Sequence, residues 1–239
     1  MWDLARITFL GTMAGLLGTG GGGILLGLGR RPRGAELSFH LGLSGGVMLA
    51  VVFQDLLPEA LALGGVATSF SGLVLGMAAL MLLKPFFSRG SRGGLIQTGL
   101  FLGLGIAAHN FPEGLAIGAG YLASEQLGLG LALALCLHNI PEGMAMAAPL
   151  LAGGAGKTTA VLLTLAAGLP MGVGALAGGL FGTLSPVALA GTLGFAAGAM
   201  LFLVFHELLP EANRLDYPFA ATCGAVLGIM IGLALLVVF

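Results

Sequence analysis

Two short stretches of the chain concentrate its chemistry. His109-Asn110-Phe111-Pro112-Glu113-Gly114 and His138-Asn139-Ile140-Pro141-Glu142-Gly143 repeat one pattern 29 residues apart. On a helix, residues four apart lie on one face, so each stretch presents an imidazole and a carboxylate side by side. Two such helices, antiparallel and adjacent, would close a site of His109, Glu113, His138 and Glu142. A mixed nitrogen and oxygen donor set suits Zn²⁺ or Fe²⁺, and Mn²⁺ less well. Asn110 and Asn139 are candidates either as further ligands or as helix-to-helix hydrogen-bonding groups. Pro112 and Pro141 lack the N–H that would reach the carbonyls of Ala108 and Leu137, which kinks a helix and frees acceptors beside the histidines.

The elements that carry these stretches are apolar. Of 239 residues, 57% are hydrophobic and 8% charged, with mean hydropathy +1.06. A soluble domain carries roughly 25% charge, so a soluble globular enzyme is excluded. Nine Lys and Arg against ten Asp and Glu leave no basic surface for nucleic acid. Cys136 and Cys223 lie inside apolar runs and predict no disulfide framework. Segments of about 20 apolar residues span a bilayer, and eight are predicted: 4–28, 39–63, 66–87, 95–122, 126–151, 159–184, 186–209 and 217–239. Continuous apolarity rules out the alternation of a membrane barrel. The expected fold is therefore an all-α integral membrane protein, one transmembrane domain over 1–239 without a soluble domain. The first span is too long, and too poor in basic residues at its start, for a cleavable signal peptide.

The few charges carry direction. Counted through eight spans, Arg30, Arg31, Arg33, Lys84, Arg89, Arg92, Lys157 and Arg214 fall on one side and Arg6 on the other. The positive-inside rule makes the first side cytoplasmic, with both termini outside. Six acids lie inside spans: Asp55, Glu59, Glu113, Glu142, Glu207 and Glu211. Facing lipid they would cost about 15–20 kcal/mol together. No Lys or Arg lies in the middle of a span, so the expected neutralising charge is a bound divalent cation.

The chain also repeats itself. Residues 45–60 match residues 197–212 at a lag of 152, with ten of sixteen positions identical. In an eight-span chain these are spans two and seven, which cross in opposite directions. The arrangement is an inverted repeat, spans 1–3 against 6–8 around a central helix pair, as in alternating-access transporters. It places Asp55 and Glu59 toward the outer face and His206, Glu207 and Glu211 toward the inner face, so both mouths of one path carry acids.

Eight spans with HNFPEG in the fourth and HNIPEG in the fifth resemble the ZIP family of divalent-metal transporters, in particular bacterial members with HNxPEG in both helices. The resemblance implies a transport bundle of spans one, four, five and six moving against a scaffold of two, three, seven and eight. It implies His109, Glu113, His138 and Glu142 as central ligands, Met48 as a thioether able to reach the metal, His206 and Glu207 on the inner path, and a homodimer. Zn²⁺ is the implied substrate, with Fe²⁺, Mn²⁺ and Cd²⁺ as alternatives, and the bacterial inner membrane the implied location. Two features depart from the family pattern. Ala167-Gly168-Leu169-Pro170 lacks a glutamate that many relatives carry before the proline, which counts against a second adjacent metal site, and the loop from Lys84 to Gly94 has no histidine.

Other motifs fail. Gly103-Leu104-Gly105 sits mid-span with no strand before it, and Gly156-Lys157-Thr158 lacks the first glycine of a phosphate loop. No organic cofactor or nucleotide is expected. The run Gly18 to Gly23 predicts close helix packing or a distorted helix end. Alternatives to the transporter are an intramembrane zinc hydrolase with Glu113 or Glu142 as general base, and a divalent-cation channel. The hydrolase lacks an HExxH motif and does not need the inverted repeat, and a channel would want rings of carboxylates rather than an imidazole-containing site that binds tightly.

Overall fold

Apolar segments that must satisfy their own backbone groups in lipid have helices as their solution here. The computed structural model, which describes residues 2–88, 94–181 and 185–238, is helical with no strand among the described residues. Its elements are α1 (Trp2–Gly15), α2 (Gly21–Leu28), α3 (Ala35–Val51), α4 (Leu57–Ser88), α5 (Leu95–Ala123), α6 (Glu125–Ala152), α7 (Lys157–Leu180), α8 (Pro186–Leu203), α9 (Leu209–Arg214) and α10 (Pro218–Val238). Arg89 and Arg92, and the expected span ends at 184 and 239, lie outside the described residues.

Seven helices are long and apolar enough to cross a membrane. The difference from eight arises at 63–66, where a break between two spans was expected. Helix runs without a loop from Ala35 to Phe87, 53 residues, with a π-helical turn at Val52–Leu56 and one non-helical residue, the left-handed Gly65 with φ 68° and ψ 179°. A straight helix of that length would measure about 80 Å, far beyond a hydrocarbon core of about 30 Å.

Three single π-helical turns interrupt the α-helices: Leu16–Gly20 between α1 and α2, Val52–Leu56 between α3 and α4, and Val204–Leu208 between α8 and α9. Such turns cluster at functional sites. The second and third fall at equivalent positions of the 152-residue repeat, each followed by a Leu-Pro-Glu sequence. Pro58 and Pro210 cannot donate to the carbonyls of Gln54 and His206, which loosens both helices where Asp55 and Glu207 stand.

Glycine sorts the helices into two bodies. The most extensive pairings are α4 with α8, α3 with α10, α5 with α7 and α6, and α1 with α7. Within these pairs glycines meet backbone: a Cβ on Gly42 or Gly46 would strike the carbonyls of Ala221 or Ala225, and one on Gly194 or Gly198 those of Ser69 or Leu73. In the other body, Gly114 faces the carbonyl of Met171, Gly174 that of Phe111, and Gly22 that of Ile140. Between the bodies, Gly105 meets only the side chain of Leu203. Small residues allow such approaches in membranes. The chain thus forms two tightly seamed bodies, α3, α4, α8 and α10 against α1, α2, α5, α6 and α7, joined by softer side-chain packing.

Candidate metal centre

The glycine ending each His-x-x-x-Glu motif explains how the site is set. Gly114 brings α5 against α7, and Gly143 brings α6 against the carbonyl of Thr19 in the first π-helical turn. With both helices pressed onto neighbours of the same body, the motif faces turn toward one another. His109, Asn110, Glu113, His138, Asn139 and Glu142 are all buried.

Contact is crossed between the helices. His109 Nε2 lies 2.7 Å from Glu142 Oε2, and His138 Nε2 lies 3.5 Å from Glu113 Oε1. Ligand atoms of His109, Glu113 and Glu142 all fall within 4.8 Å of one another, a spacing one cation could bridge. His138 stands outside that trio and adjoins it through Glu113. Glu142 Oε1 is buried with no hydrogen-bond partner among the described residues. A buried acceptor without a donor is costly, and a cation would relieve it.

The asparagines tie the site to its surroundings. Asn110 Nδ2 donates to Thr19 Oγ1 at 3.2 Å and to the carbonyl of Ala167 at 2.9 Å, linking α5 to the first π-helical turn and α7. Asn139 Nδ2 donates to Glu113 Oε2 at 3.1 Å and, at 3.4 Å, to Asn110 Oδ1, while Asn139 Oδ1 is buried without a partner. Thr19 was invisible as a site residue in sequence, hidden in a glycine run. So was Ser44, whose Oγ donates to the carbonyl of Pro141 at 2.7 Å and links the two bodies. Met48 is buried on α3 in the apolar cluster that includes Met200 and Leu203.

Two cavities reach the centre from the side of the α5–α6 turn. One, about 380 Å³, is lined by Asp55, Glu59, Glu113, Leu127 and Leu131. The other, about 360 Å³, is lined by Gln54, Asp55, Gln126 and His138. Asp55, half-buried, borders both, and Glu59 is exposed. At the other end His206 is exposed, while Glu207 and Glu211 are buried.

The expectation that no basic residue neutralises the acids is corrected for two of them. Lys84 Nζ forms an ion pair with Glu207, and Arg214 Nη2 lies 3.2 Å from Glu211 Oε1. Lys84 stands near the end of α4, where position alone points to the interface, yet its long stem carries the ammonium inward over the ring of Phe101. Arg214 reaches Glu211 because three residues make one turn.

A family model described as ZIP Zinc transporter matches residues 88–239. The chain is 33% identical to the zinc transporter ZupT of Akkermansia muciniphila over 96% of both chains. It is 36% identical to ZupT of Xanthomonas axonopodis pv. citri over 91% of this chain and 89% of that one. The chain belongs to the ZIP zinc transporter family. It is 40% identical to a further relative, zinc transporter GufA of Myxococcus xanthus, over 58% of this chain and 55% of that protein. ZIP proteins are transporters rather than enzymes, so the hydrolase reading gives way. Membership also makes this apolar ZIP chain an integral membrane protein.

Proposed function

We propose that the chain is a secondary transporter that carries Zn²⁺ into the cytoplasm across a bacterial inner membrane by alternating access. The ion enters past Asp55 and Glu59, is held by His109, Glu113, His138 and Glu142 with Met48 nearby, and leaves past Glu211, Glu207 and His206. One observation carries the reading: buried donor atoms of His109, Glu113 and Glu142, from two adjacent helices, converge within 4.8 Å. Relatives named as zinc transporters support Zn²⁺ as the cargo.

The long helix from Ala35 to Phe87 is read as two crossings hinged at Gly65, giving eight spans in all. Matching π-helical turns 152 residues apart support the inverted repeat. Arg31 bonds the carbonyl of Ala155 and Lys157 that of Gly29, which gathers basic residues at one end and supports that end as cytoplasmic, with the termini outside.

The test is radiometal uptake into proteoliposomes with Zn²⁺, Fe²⁺, Mn²⁺ and Cd²⁺, comparing the parent with His109→Ala and Glu142→Ala. Saturable Zn²⁺ uptake lost in both variants is expected. Unchanged flux in both would sink the site.

A further inference from the structure

The two mouths of the path differ. Asp55 and Glu207 occupy equivalent positions in the repeat, yet Asp55 borders two cavities that touch Glu113 and His138, whereas Glu207 is buried against Lys84. On the Lys84 side stands an aromatic group that the metal centre does not use. Phe101 lies on α5, eight residues before His109 and so about 12 Å along the helix toward its Leu95 end.

Phe101 is fully buried, and its neighbours come from the opposite body. The Lys84 ammonium sits 4.6 Å from its ring centroid. Phe87, also on α4, packs at 5.6 Å, and Phe202 on α8 packs edge-on at 6.2 Å. Phe202 in turn stacks on His206 at 4.7 Å. One ring from the body that carries the His/Glu centre is therefore gripped by a cation and two rings of the other. A cation over a ring face and an edge-on aromatic pair are both directional, so relative motion of the bodies must break them. The interface around them is side-chain packing without glycine backbone seams, where such motion costs least.

We propose that Phe101, held by Lys84, Phe87 and Phe202, is a clasp that shuts the metal route on the basic side of the protein, and that release of the ion requires Phe101 to leave this cage. The inference rests on the transport reading above. Lys84 pairs with Glu207 and Phe202 stacks on His206 within one body, so these contacts persist when the bodies move. Opening withdraws the Phe101 ring from beside them and uncovers Glu207 to the ion.

The test is a reversible cross-link. Phe87→Cys and Phe101→Cys are introduced together in a Cys136→Ala, Cys223→Ala background, bridged with a short bifunctional methanethiosulfonate, and assayed for Zn²⁺ uptake in proteoliposomes. Uptake should fall at least tenfold on bridging and return on reduction, while Zn²⁺ binding in detergent persists, because the site stays open from the Asp55 side. If the first pair fails to fold, Phe101→Cys with Phe202→Cys serves the same purpose. Uptake indifferent to the bridge, or cysteines at both pairs of positions that cannot be bridged at all, would overturn the clasp and leave the transport reading standing. A background protein that moves no Zn²⁺ would overturn the transport reading and the clasp with it.

Discussion

His109 on α5 bonds Glu142 on α6 at 2.7 Å, and not the glutamate one turn along its own helix. The second pair is crossed in the same way, His138 to Glu113. The site therefore exists only when α5 and α6 are packed, and each residue is held by the helix opposite. Removing Glu142 takes away a donor and also releases His109. Glu142→Ala is expected to weaken Zn²⁺ binding, measured by competition with a chelating dye in detergent, by more than the roughly 10–100-fold that loss of an outer partner costs. Affinity within a few-fold of the parent would remove Glu142 from the site.

Asn110 behaves differently on its contacts. Its amide nitrogen bonds Thr19 and Ala167, which ties α5 to α7 and the first π-helical turn. Asn110→Ala removes two buried hydrogen bonds, to Thr19 and to Ala167, at a cost of about 1–3 kcal/mol. The melting temperature in detergent should fall clearly, and Zn²⁺ affinity should fall less than in Glu142→Ala. A variant of parental stability that has lost the metal would instead make Asn110 a ligand.

The helices and the His-x-x-x-Glu faces were legible in sequence because both rest on local rules: span length follows apolar runs, and four-residue spacing follows the helical turn. The crossed pairing was not legible, since it depends on how Gly114 and Gly143 seat their helices on neighbours far away in the chain. Lys84 was missed for a related reason. Its backbone sits where a basic residue marks the membrane surface, and only the fold reveals that its stem turns inward to Glu207. Ser44 and Thr19 carried no signal, because a hydroxyl in a small-residue stretch reads the same whether it packs or bonds. The junction at Gly65 was expected as a break; a single left-handed glycine replaces a loop there.

The seams make a matched prediction about glycine. A methyl added at Gly143 would run into the carbonyl of Thr19, which belongs to backbone and cannot swing aside. Gly143→Ala should cost about 1–3 kcal/mol through overpacking. On the same helix, a Cβ at Gly130 would meet nothing within 4 Å. Gly130→Ala should be neutral or stabilise by about 0.5–1 kcal/mol, the usual gain over glycine inside a helix. Thermal melts of the two variants side by side check this. Equal shifts would mean that backbone approach at Gly143 is not what sets the packing of α6.

Lys84 and Glu207 make a cycle possible. The Glu207 side chain is 6% exposed and that of Lys84 27%, so the carboxylate depends on its partner more than the ammonium does. Breaking a buried pair from one side costs about 3–5 kcal/mol, and the partial exposure of Lys84 places this pair toward the lower end. Lys84→Met should therefore destabilise the protein strongly. Lys84→Met with Glu207→Gln should recover much of the loss, because the amide no longer needs a cation. The four proteins of the double-mutant cycle, melted in the same detergent, give the coupling directly. Additive losses would show that the ion pair does not bind α4 to the end of α8, and that Glu207 is neutralised by something other than Lys84.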